Sequence, residues 1–283
     1  MKRDGVLELE RVGQVATIKM APMEEVVETD GAGDIHYVLG EVLDELRWDD
    51  EIRVVVLTGE RDGEFLVAPP TDHYGSPAQR RRMKSMRATW SGSQGVVRTH
   101  QALALIEKPV IARLNGDAIG FGQSVMFACD LIIARSGARV SDVHLGMGEV
   151  TRSSDGRHVG PRFGLVPGDG AAVWVPASMP PQKQKEYLML SRVLTAEQLA
   201  DLNIVNQVVP LEQLDGAIDK IVGELLSKPA QVLAMTKRLL NRDLVAKLHQ
   251  TLEIALAYEK LNFHQLSRNG WKDDFALQAP LAP

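Results

Sequence analysis

Cysteine is nearly missing from these 283 residues; Cys129 stands alone. No intramolecular disulfide or multi-cysteine metal site can therefore form, and the usage suits a reducing compartment, which points to the cytoplasm. Long apolar runs are also lacking. Nothing approaches the ~18 uninterrupted apolar residues of a membrane span, and no apolar stretch follows the two basic residues of MKRDGVLELE, so neither spanning nor secretion is expected. Positive charge is not in excess: 37 acids against 32 bases give a formal net charge of -5. No global field attracts nucleic acid or an anionic membrane. Metal spacing is absent too, because His73, His100, His158, His249 and His264 form no ligand pattern with acids, and no metal is expected.

What is present reads as a folded α/β chain, 45% hydrophobic and 24% charged, long enough for a sizeable core. Leu7 and Leu9 alternate with Glu8 and Glu10, and Ala16, Ile18 and Met20 with Thr17 and Lys19, around Gly13, which predicts a hairpin. Asp34 can cap a helix whose Ile35, Val38, Leu39, Val42, Leu43 and Leu46 share one face. Val54 to Leu57, Val110 to Leu114 and Leu131 to Ala134 read as buried strands. Asn115 to Gly122 reads as a glycine-punctuated loop and Ser124 to Cys129 as a short helix, giving a βαβ-type core. Thr195 and Gln198 fit a capping box. A short strand, Ile204 to Val209, precedes a helical remainder, and the division is placed at 1–205 and 206–283. Arg80 to Arg87 and Glu149 to Arg162 read as surface segments.

Several constellations could carry chemistry. The glycines of NGDAIGFGQ, Gly116, Gly120 and Gly122, either make a tight strand-to-helix connection or leave helix N-terminal amides facing an anion. His144 in SDVHLGMG and Asp169 in VPGDGAAVW could form a general base oriented by a carboxylate, or could be a structural histidine and a turn aspartate. Ser124 lacks a nucleophile elbow and sits where a capping residue would. His36 lies in the first turn of the predicted helix, and Cys129 reads as a small core residue.

The stretch IEKPVIARLNGDAIGFGQSVMFACDLIIA, with VVVLTG before it and VPGDGAAVWVP, LTAEQLADLNIVNQVV and KPAQVLAMTKRLL after it, resembles the crotonase (enoyl-CoA hydratase/isomerase) superfamily. The resemblance implies a spiral of ββα units with a C-terminal helical trimerisation region, assembled as homotrimers or homohexamers. It also implies an oxyanion hole of two backbone amides, which by position are those of Val67 and Phe121, with His36, Ser124, Gly120 and Gly122 around the substrate. The paired glutamates of a hydratase are replaced by Ser124 and His144. A histidine there, followed by PGDG, resembles the branch containing 6-oxocamphor hydrolase, which splits a cyclic β-diketone without coenzyme A.

That resemblance implies a small-molecule carbonyl substrate and no required cofactor. His144, oriented by Asp169, would activate water for retro-Claisen cleavage of a β-dicarbonyl compound. The alternatives are an enzyme acting on a coenzyme A thioester and a non-catalytic scaffold of the same fold.

Overall fold

The computed structural model describes residues 2–3, 5–23, 34–70, 85–145, 159–160 and 164–268. Residues 80–84, and the 149–162 segment apart from Val159 and Gly160, lie outside the described residues. The predicted hairpin forms from β2 (Leu7–Val12) and β3 (Val15–Met20), antiparallel with Leu9 opposite Ile18, and β1 (Lys2–Arg3) adds to its edge. Helix α1 (Ile35–Arg47) starts at Asp34, whose side chain accepts the His36 amide, and all six predicted apolar residues are buried. Burial is worth about 1.5–3 kcal/mol for each large aliphatic side chain, enough to hold a helix too short to persist alone.

The three apolar runs become β4 (Val54–Gly59), β6 (Val110–Leu114) and β8 (Leu131–Arg135). They pair in parallel at the centre of a seven-stranded sheet of order β1-β2-β3-β4-β6-β8-β11. The strand expected over 204–209 is shorter, β11 (Gln207–Val209). It adds beside β8, just after the division expected at 206.

A second sheet departs from the sequence expectation. β5 (Gly63–Val67), β7 (Gly116–Ile119), β9 (Arg139–Ser141) and β10 (Val193–Thr195) align in the order β10-β9-β7-β5. Residues 116–119, read above as loop, are thus a strand. Glycine and aspartate have low strand propensity, and pairing with β5 overrides it. Val140 and Ser141 of β9 flank β7 on its other side.

The helices are α2 (Met86–Leu105), α3 (Phe121–Ala128), α4 (Ala171–Ser178), α5 (Pro181–Met189), α6 (Ala196–Asp201), α7 (Leu214–Leu226), α8 (Ala230–Leu240) and α9 (Arg242–Arg268). Both bonds of the Thr195–Gln198 capping box are made at the start of α6. The main core lies between the large sheet and α1, α2 and α3, while Leu214 and Ile218 of α7 cover Val54, Val56, Ile111 and Ile133 on the other face. A small separate cluster, Val67, Ala68, Ile119, Val143 and Val159, flanks the site.

Candidate active site

Two backbone segments meet where the oxyanion hole was expected. α3 begins at Phe121, and the amides of Gln123 and Ser124 already reach back to the Gly120 carbonyl, at 3.1 and 3.4 Å. The Phe121 amide, one residue into the helix, has no intrahelical acceptor by position. Gly122 sits directly on β5: a Cβ there would lie 1.9 Å from the Leu66 carbonyl oxygen. Only a residue without a side chain lets the helix start touch that strand, which brings Phe121 beside Val67.

In β5, Val67 is in register with Ile119, and the Ala68 amide donates to the Ile119 carbonyl at 3.0 Å. Amides alternate along a parallel strand, so the Val67 N–H points away from β7. A register shift between Glu64 and Leu66 re-aims the end of β5, as bulges beside sites do. The Ala68-Pro69-Pro70 stretch has a defined course: Pro70 bridges Val159, and the Gly160 amide donates to Pro69 O at 2.9 Å. Val159 thereby joins Pro22, Met23, Val67 and Ala68 in lining a pocket at this edge.

His144 and Asp169 come together, with Nε2 and Oδ2 3.5 Å apart. The residue closest to the ring, however, is Asp142, which sequence reading passed over. Its carboxylate oxygens both lie 3.2 Å from Nδ1, and Oδ1 also accepts the His144 amide at 3.0 Å. Asp142, two residues earlier in the chain, holds the Nδ1 side of the ring through a local turn, while Asp169 faces the other nitrogen. The spacing Asp-x-His was the available signal.

Ser124 donates to Asp169 Oδ1 at 3.1 Å. Asp169 thus places a carboxylate within reach of both Ser124 and His144. One oxygen of Asp142, one of Asp169 and a ring nitrogen of His144 lie within 4.8 Å of one another. Asp142 faces Nδ1 and Asp169 faces Nε2, and the two carboxylates are close to one another as well as to the ring.

The surrounding groups set the electrostatics. Burial lowers the proton affinity of His144, but Asp169 and Asp142 together override it and push the pKa up. Burial also raises Asp169, with Asp142 and Glu259 adding to the effect against the pull of His144. Glu259 of α9 is buried, and its carboxylate lies over the backbone of Gly168.

His100 of α2 is fully enclosed and lowered by burial to about 4, hence neutral. Its Nδ1 accepts from the Trp174 indole at 2.9 Å, which leaves Nε2–H to donate to the Asp169 carbonyl at 2.6 Å. Gly170, at φ +118, leaves room for this ring, since a Cβ would lie 2.2 Å from His100 Nε2. His36 Nδ1 is held by Asp34 Oδ1 at 2.6 Å, and the Phe121 ring lies 4.2 Å from the His36 ring and 5.8 Å from that of His100, centroid to centroid. Neither Glu259 nor His100 was singled out as a site residue from sequence. They arrive from helices remote in the chain, and nothing local marks them.

The fold is mixed α/β, with helix N-terminal amides set against a strand edge beside a buried acid–imidazole cluster. Residues 34–273 match the family described as Enoyl-CoA hydratase/isomerase, and the chain belongs to that family, within the crotonase superfamily. The short-chain-enoyl-CoA hydratase of Clostridium acetobutylicum is 26% identical over 259 residues, 90% of this chain and 87% of that protein.

Among solved structures, a beta-diketone hydrolase from Anabaena, bound to (S)-3-oxocyclohexyl acetic acid, is similar with a TM-score of 0.75 and 23% identity, covering 93% of this chain and 95% of its own. An enoyl-CoA hydratase/isomerase from Mycobacterium paratuberculosis is similar at TM-score 0.73 and 22% identity, with 93% and 94% covered. At these identities the structural likeness establishes the fold. Among the described residues, no helix is long and apolar enough to cross a membrane.

Proposed function

We propose that this chain is a carbon–carbon bond hydrolase that adds water to one carbonyl of a β-dicarbonyl compound and expels the other as an enolate. The observation that carries this reading is the buried imidazole bonded to Asp142 at Nδ1 and facing Asp169 at Nε2, in place of paired glutamates. The His144–Asp169 pair takes a proton from water as the oxygen bonds to the carbonyl carbon. The intermediate collapses with cleavage of the C–C bond, and the enolate oxygen is held by the Val67 and Phe121 amides. Two such donors, pre-aimed at a developing oxyanion, are worth ~100- to 1,000-fold each. The proton returns to the enolate carbon, giving a carboxylic acid and a ketone, which remain one keto acid when the substrate is cyclic. The chemistry as written uses no metal or redox cofactor, and the similar beta-diketone hydrolase supports it.

One observation favours a second reading, action on a coenzyme A thioester: Asp169 supplies a carboxylate bonded to Ser124, beside the position of a hydratase glutamate. The curated relative is named for that chemistry. Titration calorimetry with acetyl-CoA and free coenzyme A, beside a screen of cyclic β-diketones followed by loss of enol absorbance, separates the two. Diketone cleavage without coenzyme A binding is expected, whereas micromolar coenzyme A binding with no diketone turnover establishes the thioester reading. Binding of neither, with no turnover, would leave the scaffold reading.

Self-association belongs to the same reading. α8 exposes Val232, Met235 and Leu239, and α9 exposes Ile254, Tyr258 and Leu261, each set on one helical face. Apolar stripes of this kind mark interaction surfaces, and here they fit a homotrimer or homohexamer. Sedimentation of Leu239→Asp combined with Leu261→Asp is expected to show monomers where the parent chain is trimeric or larger; unchanged assembly of the variant would count against these faces.

A further inference from the structure

The two carboxylates about His144 differ in ways that divide their work. Asp142 is bonded through the His144 amide and Nδ1, and its side chain has 0% exposure. Behind it, Gln123 Nε2 lies 3.5 Å from Oδ2 and 2.9 Å from Ser124 Oγ, and Tyr187 donates to Gln123 Oε1 at 3.2 Å. Asp142 is thus locked from the protein side and has no surface to offer a substrate. Asp169 accepts from Ser124 Oγ at 3.1 Å but is held less closely by the ring. Its 3.5 Å approach to Nε2 is longer than a good hydrogen bond, and its side chain and that of His144 retain the same 10% exposure.

We infer that Asp142 is the positioning carboxylate of this site, keeping His144 protonated at Nδ1, and that Asp169 rather than His144 takes the proton from the attacking water. The second half rests on the hydrolytic reading above; the first half does not. The charges facing the ring lead the same way. Asp142 follows β9, Asp169 precedes α4, and Glu259 reaches in from α9, while His36 of α1 also acts on Asp169 and His100 of α2 is neutral. With three carboxylates around one imidazole the ring keeps its proton near neutral pH and cannot accept another. The carboxylate made more basic by burial and by its acidic neighbours is the better acceptor.

The steps balance. Water loses one proton to Asp169 as its oxygen bonds to the carbonyl carbon. The C–C bond breaks with its electron pair entering the enolate, and protonated Asp169 delivers that proton to the enolate carbon, regenerating its carboxylate. The second water proton leaves from the new carboxylic acid to solvent.

Nitrogen-15 spectra of histidine-labelled protein test the pairing without any substrate, His144 being assigned from the resonance missing in His144→Gln. Wild type is expected to show both ring nitrogens protonated at neutral pH. Asp142→Asn should lower the His144 titration midpoint by about one to three pH units, and in Asp169→Asn the neutral ring should carry its proton on Nδ1. Asp142→Ser, which retains an acceptor for the His144 amide, serves if the asparagine variant does not fold.

A neutral His144 in wild type at pH 7, a midpoint unmoved in the Asp142 variant, or an Nε2–H tautomer in Asp169→Asn overturns the pairing. A parallel pH profile of kcat/KM tests the base: its acid limb should shift in Asp142→Asn, and turnover should fall ~100- to 10,000-fold at every pH in Asp169→Asn. Retained turnover in Asp169→Asn overturns the assignment of the base. A protein that shows the expected spectra but cleaves no diketone refutes the hydrolytic reading and leaves the role of Asp142 standing.

Discussion

Replacing His144 by alanine is expected to reduce turnover of a β-dicarbonyl substrate by ~100- to 10,000-fold, the range associated with loss of a positioned acid–base group. The reason is electrostatic as well as chemical. Without the imidazole, the buried Asp142 and Asp169 carboxylates, which lie close together, lose the cation they share, and two like charges in such a place cannot both stay ionised. Asp169 then holds a proton near neutral pH and is lost as a base. Asp169→Asn should fall by a similar factor, and the double variant should be little worse than either single one, because the groups act as a unit. Steady-state kinetics on the substrate found in the diketone screen decides the matter; full activity in His144→Ala would remove this cluster from the mechanism.

The second large effect is expected at Gly122. An alanine there would put its methyl 1.9 Å from the backbone oxygen of Leu66, and neither partner is a side chain that could swing aside. Helix α3 must back away from β5, at a cost of about 3 kcal/mol for overpacking. The same displacement moves the Phe121 amide away from Val67. Misplacement by about 1 Å can cost ~100-fold in rate, so the surviving folded protein should also be slow. Gly216 in α7 has nothing within 4 Å of its missing Cβ, and Gly216→Ala is expected to be neutral or stabilising by up to about 1 kcal/mol. Thermal melts of the two variants, with kcat for each, check the contrast. Equal melting temperatures would show that the contact is not tight.

Elements with a strong local pattern were legible before any coordinates. The alternation of Leu7, Leu9, Ala16 and Ile18 wrote the hairpin, and the 3,4 spacing after Asp34 wrote α1, its cap included. The apolar runs at 54, 110 and 131 became central parallel strands, because strands covered on both faces need no alternation. The second sheet was not legible. β7 is built from Gly, Asp, Ala and Ile, and β9 and β10 are three residues each. Such segments are strands only because their partners are present.

The site divides along the same line. His144, Asp169, Ser124 and the Gly120–Gly122 turn could be picked out along the chain because each sits in a glycine-punctuated or otherwise marked segment, and the fold brings them together. Which carboxylate faces which ring nitrogen, the neutral state of His100 and the presence of Glu259 are outcomes of packing between elements up to 159 residues apart in sequence, the separation from His100 to Glu259. Local propensity and periodicity act over a few residues, so the sequence by itself determined the elements, the glycines at close approaches and the reactive residue types. Charge, burial and ring orientation depend on what lies across a few ångströms of low-dielectric interior, and only the tertiary structure decided those.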